Sequence, residues 1–175
     1  MLGLYLGDGC LSQQTNGVWK LRLVCDSRYP DLIDEWALAV ASVLRNVVGR
    51  VQRTGCIELT SHSKHWFCLL PQHGPGTKHN RLIQLESWQV DIVERHPAPF
   101  VRGLIFSDGC RVINRVGQNE YGRYFFTNTS QDILEIAREA IARLGVEARQ
   151  SNPKNLSVAR RSQVAVLDEF IGFKH

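Results

Sequence analysis

One nine-residue pattern occurs twice in the chain, 100 residues apart. The first copy reads Met1-Leu2-Gly3-Leu4-Tyr5-Leu6-Gly7-Asp8-Gly9, and the second Val101-Arg102-Gly103-Leu104-Ile105-Phe106-Ser107-Asp108-Gly109, with a cysteine following in both. A repeat at that spacing is about one small domain long, so the chain is expected to be two similar halves. Each copy reads as a short apolar helix. Gly3 and Gly7, then Gly103 and Ser107, fall four residues apart and share a helix face. Small side chains there allow close approach of a second backbone, so each helix is expected to take the other as its partner. Each Asp then falls in a last turn, with Gly9 or Gly109 as a stop beyond it. A helix C-terminus carries partial negative charge and disfavours an Asp by up to about 1 kcal/mol. Two such ends side by side call for a bound proton or a cation. A hard, oxygen-ligated ion such as Mg²⁺ satisfies both acids, Asp8 and Asp108.

The correspondence continues downstream. Leu21 to Ser27 lines up with Tyr124 to Ser130, and each segment leads into an amphipathic helix, over 31–44 and 131–144. A glycine and a basic strand pair follow each helix, over 48–61 and 145–160. Gly76-Thr77-Lys78-His79 echoes Gly172-Phe173-Lys174-His175. The order is helix, two strands, helix, two strands and a tail, twice. Residues 70–81 read as a turn-rich loop. Residues 86–94 read as a short helix ended by His96-Pro97-Ala98-Pro99, a stiff join that makes the halves one expected rigid unit.

These residues resemble the LAGLIDADG homing endonuclease family, specifically its single-chain, two-repeat members. The chain departs from the namesake motif at Leu6 and Phe106, where the motif has its first Asp. The resemblance implies an α+β fold of tandem, pseudo-two-fold αββαββα repeats, with two antiparallel saddle-shaped sheets and a central pair of LAGLIDADG helices. The repeats are expected at 1–98 and 99–175. The resemblance also implies a monomeric, site-specific double-strand DNA endonuclease. It would cut a long non-palindromic site with Mg²⁺ (or Mn²⁺, with Ca²⁺ as a non-cleaving substitute), leaving short 3′ overhangs.

The same resemblance assigns roles. Asp8 and Asp108 are the expected catalytic metal ligands, one per strand cut, with backbone carbonyls near Gly7 and Ser107 as further ligands. Lys78 and Lys174 fit the basic residue that approaches the scissile phosphate in each repeat; a solvated surface lysine fits equally. His79 and His175 are weaker candidates for that work. Ser27 and Ser130 match a polar site beside the scissile bond, or cap the helix that follows. DNA readout falls to Lys20, Arg22, Arg50, Arg53, Arg111, Arg115, Arg123, Arg149 and Arg160 on strand-like segments. Gln13, Gln14, Asn16, Gln52, Asn114 and Gln150 accompany them. A two-stranded ribbon fits the major groove, where Arg bridges guanine O6 and N7. An ordinary wet sheet face has the same composition.

Composition agrees without deciding. The net charge of +4 and pI near 8.9 favour an anionic partner. No 18-residue apolar run or signal peptide is present, so a soluble, cytoplasmic and nucleoid-associated protein is expected, with no membrane partner. Five cysteines argue against a disulfide framework. Cys56, His62, His65 and Cys68 allow a weak zinc reading, against which stands their strand-like alternation. Two other functions share the resemblance: a catalytically silent DNA-binding transcriptional regulator, which would usually lose the acids, and an RNA maturase.

Overall fold

The computed structural model describes residues 1–172. The chain divides into two compact units, Met1–Pro75 and a second beginning at Gly76.

The first unit opens with α1 (Leu2–Asp8), which runs straight into β1 (Gly9–Gln13). After β2 (Trp19–Asp26) come α2 (Pro30–Val43), β3 (Gly49–Arg53), β4 (Cys56–Ser63) and the single turn α3 (Trp66–Leu69). The sheet is antiparallel in the order β1-β2-β4-β3. Along β2 the residues alternate: Leu21, Leu23 and Cys25 are buried, while Arg22 and Val24 are exposed. That period of two buries one face and leaves the other wet. Leu32, Ile33, Trp36, Ala37 and Val40 form the buried stripe of α2, at the spacing a helix needs to cover a sheet.

The second unit contains α4 (Ser87–Arg95), α5 (Pro97–Asp108), β5 (Gly109–Val116), β6 (Asn119–Thr127), α6 (Gln131–Ala142), β7 (Arg149–Asn152), β8 (Asn155–Val158) and α7 (Arg161–Asp168). Its sheet order is β5-β6-β8-β7, again antiparallel. The strand registers correspond as well. Gly9 pairs with Leu23 and Leu23 with Leu59; at the matching positions Gly109 pairs with Phe126 and Phe126 with Leu156. The duplication is therefore one of fold, down to which residue opposes which.

One expectation needs revision. The segment His96-Pro97-Ala98-Pro99 is not a linker: α4 ends at Arg95, His96 caps both helices, and the prolines fill the first turn of α5. Proline suits that turn because its missing N–H has no helical partner there. The packing division falls at Gly76, while the helix that opens the second repeat, α5, begins at Pro97. Physically, α4 packs on α5, and its Glu94 pairs with Arg143 at 2.7 Å. The tail of each repeat is helical, as α3 and α7, the last element of the expected αββαββα order. No helix among the described residues is long and apolar enough to cross a membrane.

Candidate metal centre and nucleic-acid interface

Both repeated helices end on their aspartate: α1 at Asp8 and α5 at Asp108. The glycine that follows is required for a reason other than a left-handed stop. Gly9 and Gly109 have φ of −87° and −116°, extended values open to any residue. What they need is space. A Cβ on Gly109 would lie 2.7 Å from the Ile105 Cα and 2.8 Å from the Phe125 carbonyl oxygen; one on Gly9 would lie 2.5 Å from the Tyr5 Cα. The absence of a side chain lets each helix turn directly into a strand folded against its last turn. Each Asp is thereby fixed at that corner.

Asp8 is exposed and Asp108 half-buried. Asp108 Oδ2 accepts a 2.6 Å hydrogen bond from the Asn128 amide. Asn128 is itself held: its Oδ1 accepts from the Ser130 N–H at 2.8 Å, and its own N–H donates to the Lys154 carbonyl at 2.9 Å. Sequence reasoning missed Asn128, because only the folded strand end brings it to Asp108. By strand register its counterpart in the first unit is Cys25, a buried thiol. Ser107 Oγ donates back to the Gly103 and Leu104 carbonyls of its own helix, at 3.0 and 2.9 Å.

The Gly76 loop belongs to the second unit. Gly76 and Gly172 both take positive φ, 72° and 68°, as the echoed sequence expects of equivalent turns. Lys78 begins a short 3₁₀ turn, Lys78–Asn80. The His79 ring lies between two threonine hydroxyls, 3.2 Å from Thr77 and 3.1 Å from Thr129. Thr129 follows Asn128 in the chain. The loop carrying Lys78 is therefore tied to the segment that holds Asp108. Lys174 and His175 lie outside the described residues. Ser130 caps α6, its Oγ accepting from the Ile133 N–H at 3.4 Å, whereas the cap of α2 is Tyr29 rather than Ser27. Counted from the strand register, α2 begins two residues later than α6, which breaks that match.

Strand pairing sorts the basic residues by face. On the wet face of the first sheet lie Lys20, Arg22 and Arg53, opposite His62, Thr60 and Cys56. Arg123 and Arg149 lie on the corresponding face of the second sheet, with Asn114. Four other candidates are placed differently. Arg50 pairs across from buried Leu59, on the helix side, and bonds Asp34 of α2 at 2.6 Å. Arg111 opposes buried Tyr124 and grips Asp168 of α7 through two bonds of 2.7 and 2.8 Å, with only 14% of its side chain exposed. Arg115 pairs with Glu120 at the tip of the β5–β6 hairpin, and Arg160 caps α7 while pairing with Glu147. Alternation moved Arg50 and Arg111 off the wet face, since a strand residue one position away points to the opposite side. Gln13, Gln52 and Gln150 share the helix side for the same reason.

The wet face of the first sheet also holds a carboxylate. Glu58 lies between Val24 and Val51 with 7% of its side chain exposed. Lys20 Nζ donates to its Oε1 at 3.0 Å, and Arg53 Nε lies 3.5 Å from its Oε2. The Lys20 hydrogen bond, with Lys20, Arg22 and Arg53 charges nearby, holds the Glu58 carboxyl below the usual range. Arg22 in turn donates to the Cys10 sulfur at 3.3 Å.

The zinc reading is not met. Cys56 and His62 sit at opposite ends of β4, about 20 Å apart at strand rise. Among the described residues no three His, Cys, Asp or Glu side chains gather for a metal.

Residues 96–169 match the family model of the LAGLIDADG-like domain. The second half of the chain is thus similar to a LAGLIDADG-like domain. Solved structures extend the LAGLIDADG fold over the whole chain. The N-terminal LAGLIDADG domain of DUF199/WhiA superposes with a TM-score of 0.60 at 14% identity, over 99% of this chain and 79% of that one. I-DmoI, in complex with DNA and Mn, gives 0.57 at 17% identity over 99% and 94%. The same protein has been solved with DNA and Ca, and a variant with Mg. The LAGLIDADG homing endonuclease I-GzeII, bound to its DNA target, gives 0.57 at 9% identity over 98% and 82%. No curated protein matches the sequence. The fold is thus the two-repeat LAGLIDADG fold, shared by homing endonucleases and by WhiA.

Proposed function

We propose that the protein is a monomeric, site-specific double-strand DNA endonuclease that hydrolyses phosphodiester bonds with Mg²⁺. The observation that carries this reading is the retention of an aspartate at the end of both repeated helices, with Asp108 held by Asn128. Acids at two helix C-termini are unfavourable unless a cation answers them. Asp8, Asp108 and the carbonyls at Gly7 and Ser107 are hard oxygen donors, which suit Mg²⁺ or Mn²⁺ and not zinc. When bound, the ion would polarise a phosphoryl oxygen and acidify water. The chain's own residues divide the remaining work. Asp8 and Asp108 serve as metal ligands, and Asn128 fixes the Asp108 carboxylate. Lys78 and Lys174 offset charge at the scissile phosphate. Lys20, Arg22, Arg53, Arg123 and Arg149 meet the DNA from the wet sheet faces, and its nucleoid is where the protein would act.

The catalytically silent DNA-binding regulator is the second reading. It draws on the likeness to WhiA and on Cys25, which stands where the second unit has Asn128. Selection of cut ends from a random duplex library, with Mg²⁺ and Ca²⁺ in parallel, decides between the two. Cut duplex in Mg²⁺ with bound, intact duplex in Ca²⁺ is expected of the endonuclease. Bound duplex left intact in both ions would hand the function to the regulator.

A further inference from the structure

The two wet sheet faces differ in one respect. Glu58 is nearly buried on the first, between two cations it engages. The strand positions of the second sheet's wet face carry Val112, Asn114, Tyr121, Arg123, Phe125 and Arg149, with no carboxylate. A carboxylate in a DNA-binding face repels phosphate, and here it also draws in two cations that phosphate would use: it accepts a hydrogen bond from Lys20 and lies within ion-pair distance of Arg53 Nε. Lys20 and Arg53 reach Glu58 from the two strands flanking β4, so its two oxygens hold both side chains over the sheet.

We propose that Glu58 is a specificity-determining residue of the first sheet, holding Lys20 and Arg53 for base contacts and withholding them from indiscriminate phosphate binding. The proposal rests on the reading of the wet faces as the DNA surface. Phosphate contacts carry no sequence information, whereas base-edge contacts do. A cation already neutralised by Glu58 gains little from a phosphate. It gains more where a guanine edge offers O6 and N7 in the geometry the sheet presents. Specificity gained by penalising the wrong partner is the general form of this device.

The test compares wild type with Glu58→Gln and Glu58→Leu on a random-sequence duplex library in Ca²⁺. Retention is measured across a salt series and the retained pools are sequenced. Arg22→Ala identifies which positions the first sheet reads. Both variants should hold the random duplex about tenfold more tightly at low salt, through loss of one negative charge near the phosphates. Their log–log salt slope should steepen by about 0.9 for each cation released to phosphate. Their pools should lose sequence bias at the positions Arg22→Ala affects and keep it elsewhere. The leucine variant guards against an effect peculiar to a buried amide, and thermal melts establish that both are folded. Variants matching a wild type that does bind, in slope and in pool, would overturn the role of Glu58. A folded wild type that retains no duplex would overturn the DNA reading, and this inference with it.

Discussion

Replacing Gly109 with alanine tests why the repeat ends in Asp-Gly. A methyl there would meet the Ile105 Cα at 2.7 Å, the Phe125 carbonyl oxygen at 2.8 Å and the Ile105 carbonyl oxygen at 2.9 Å. All three are backbone atoms, so no side chain can swing aside. At φ −116° alanine itself is unstrained. The substitution would even stabilise by about 0.4–1 kcal/mol through the unfolded chain, if space allowed. Overpacking of this kind costs about 1–3 kcal/mol, and backbone contacts place it at the upper end. A net loss of about 2 kcal/mol is expected, which lowers Tm by about 4–8 °C for a chain of this length. Thermal unfolding followed by circular dichroism measures it, and Gly109→Asn separates the causes. A left-handed stop tolerates asparagine better than alanine, whereas a close approach tolerates neither, and the larger residue should do worse. A Gly109→Ala protein that melts with wild type, or an asparagine variant more stable than the alanine one, would refute the steric account.

Asp8→Asn and Asp108→Asn should each abolish double-strand cleavage while leaving DNA retention in Ca²⁺ intact; unchanged cleavage by both would remove the acids from the mechanism. Asn128→Ala should lower kcat for cleavage at least tenfold with little change in KM, because it releases Asp108 without touching the DNA face; a change confined to KM counts against that role. In the Arg111–Asp168–Tyr124 cluster, the Arg111 hydrogen bonds hold the Asp168 carboxyl below its usual range, while burial, then the Asp168 hydrogen bond, pushes the Tyr124 phenol up. The Asp168 contribution is therefore present above the unfolded carboxylate value of about 4 and is lost as pH falls through the lower folded value. The Tyr124 contribution is present below the unfolded phenol value of about 10 and is lost as pH rises through the raised folded value. Denaturant titrations should show Asp168→Asn less stable than wild type by about 1–2 kcal/mol at pH 7, after allowance for partial exposure. That gap should close toward pH 2; a pH-independent gap would rule out ionisation as its cause.

The duplicated helix, the strand pairs and the amphipathic helices were legible in the sequence because each is written in local spacing. Apolar residues four apart define α1 and α5, and alternation defines β2. The repeat then carried the position of Asp8 over to Asp108. The sequence could not say which face a basic strand residue occupies. Arg111 and Arg123 read alike along the chain, yet Arg111 opposes Tyr124 beneath α7 and Arg123 faces outward, a distinction made by strand pairing. Asn128 and Glu58 were invisible for a related reason. Their partners, Asp108 and Lys20, are distant in the chain, and no short-range pattern marks a hydrogen bond closed by a sheet. Even Gly109, found correctly, was assigned the wrong cause. A glycine needed for its φ and one needed for its missing Cβ are identical in sequence, and only the backbone folded against it tells them apart.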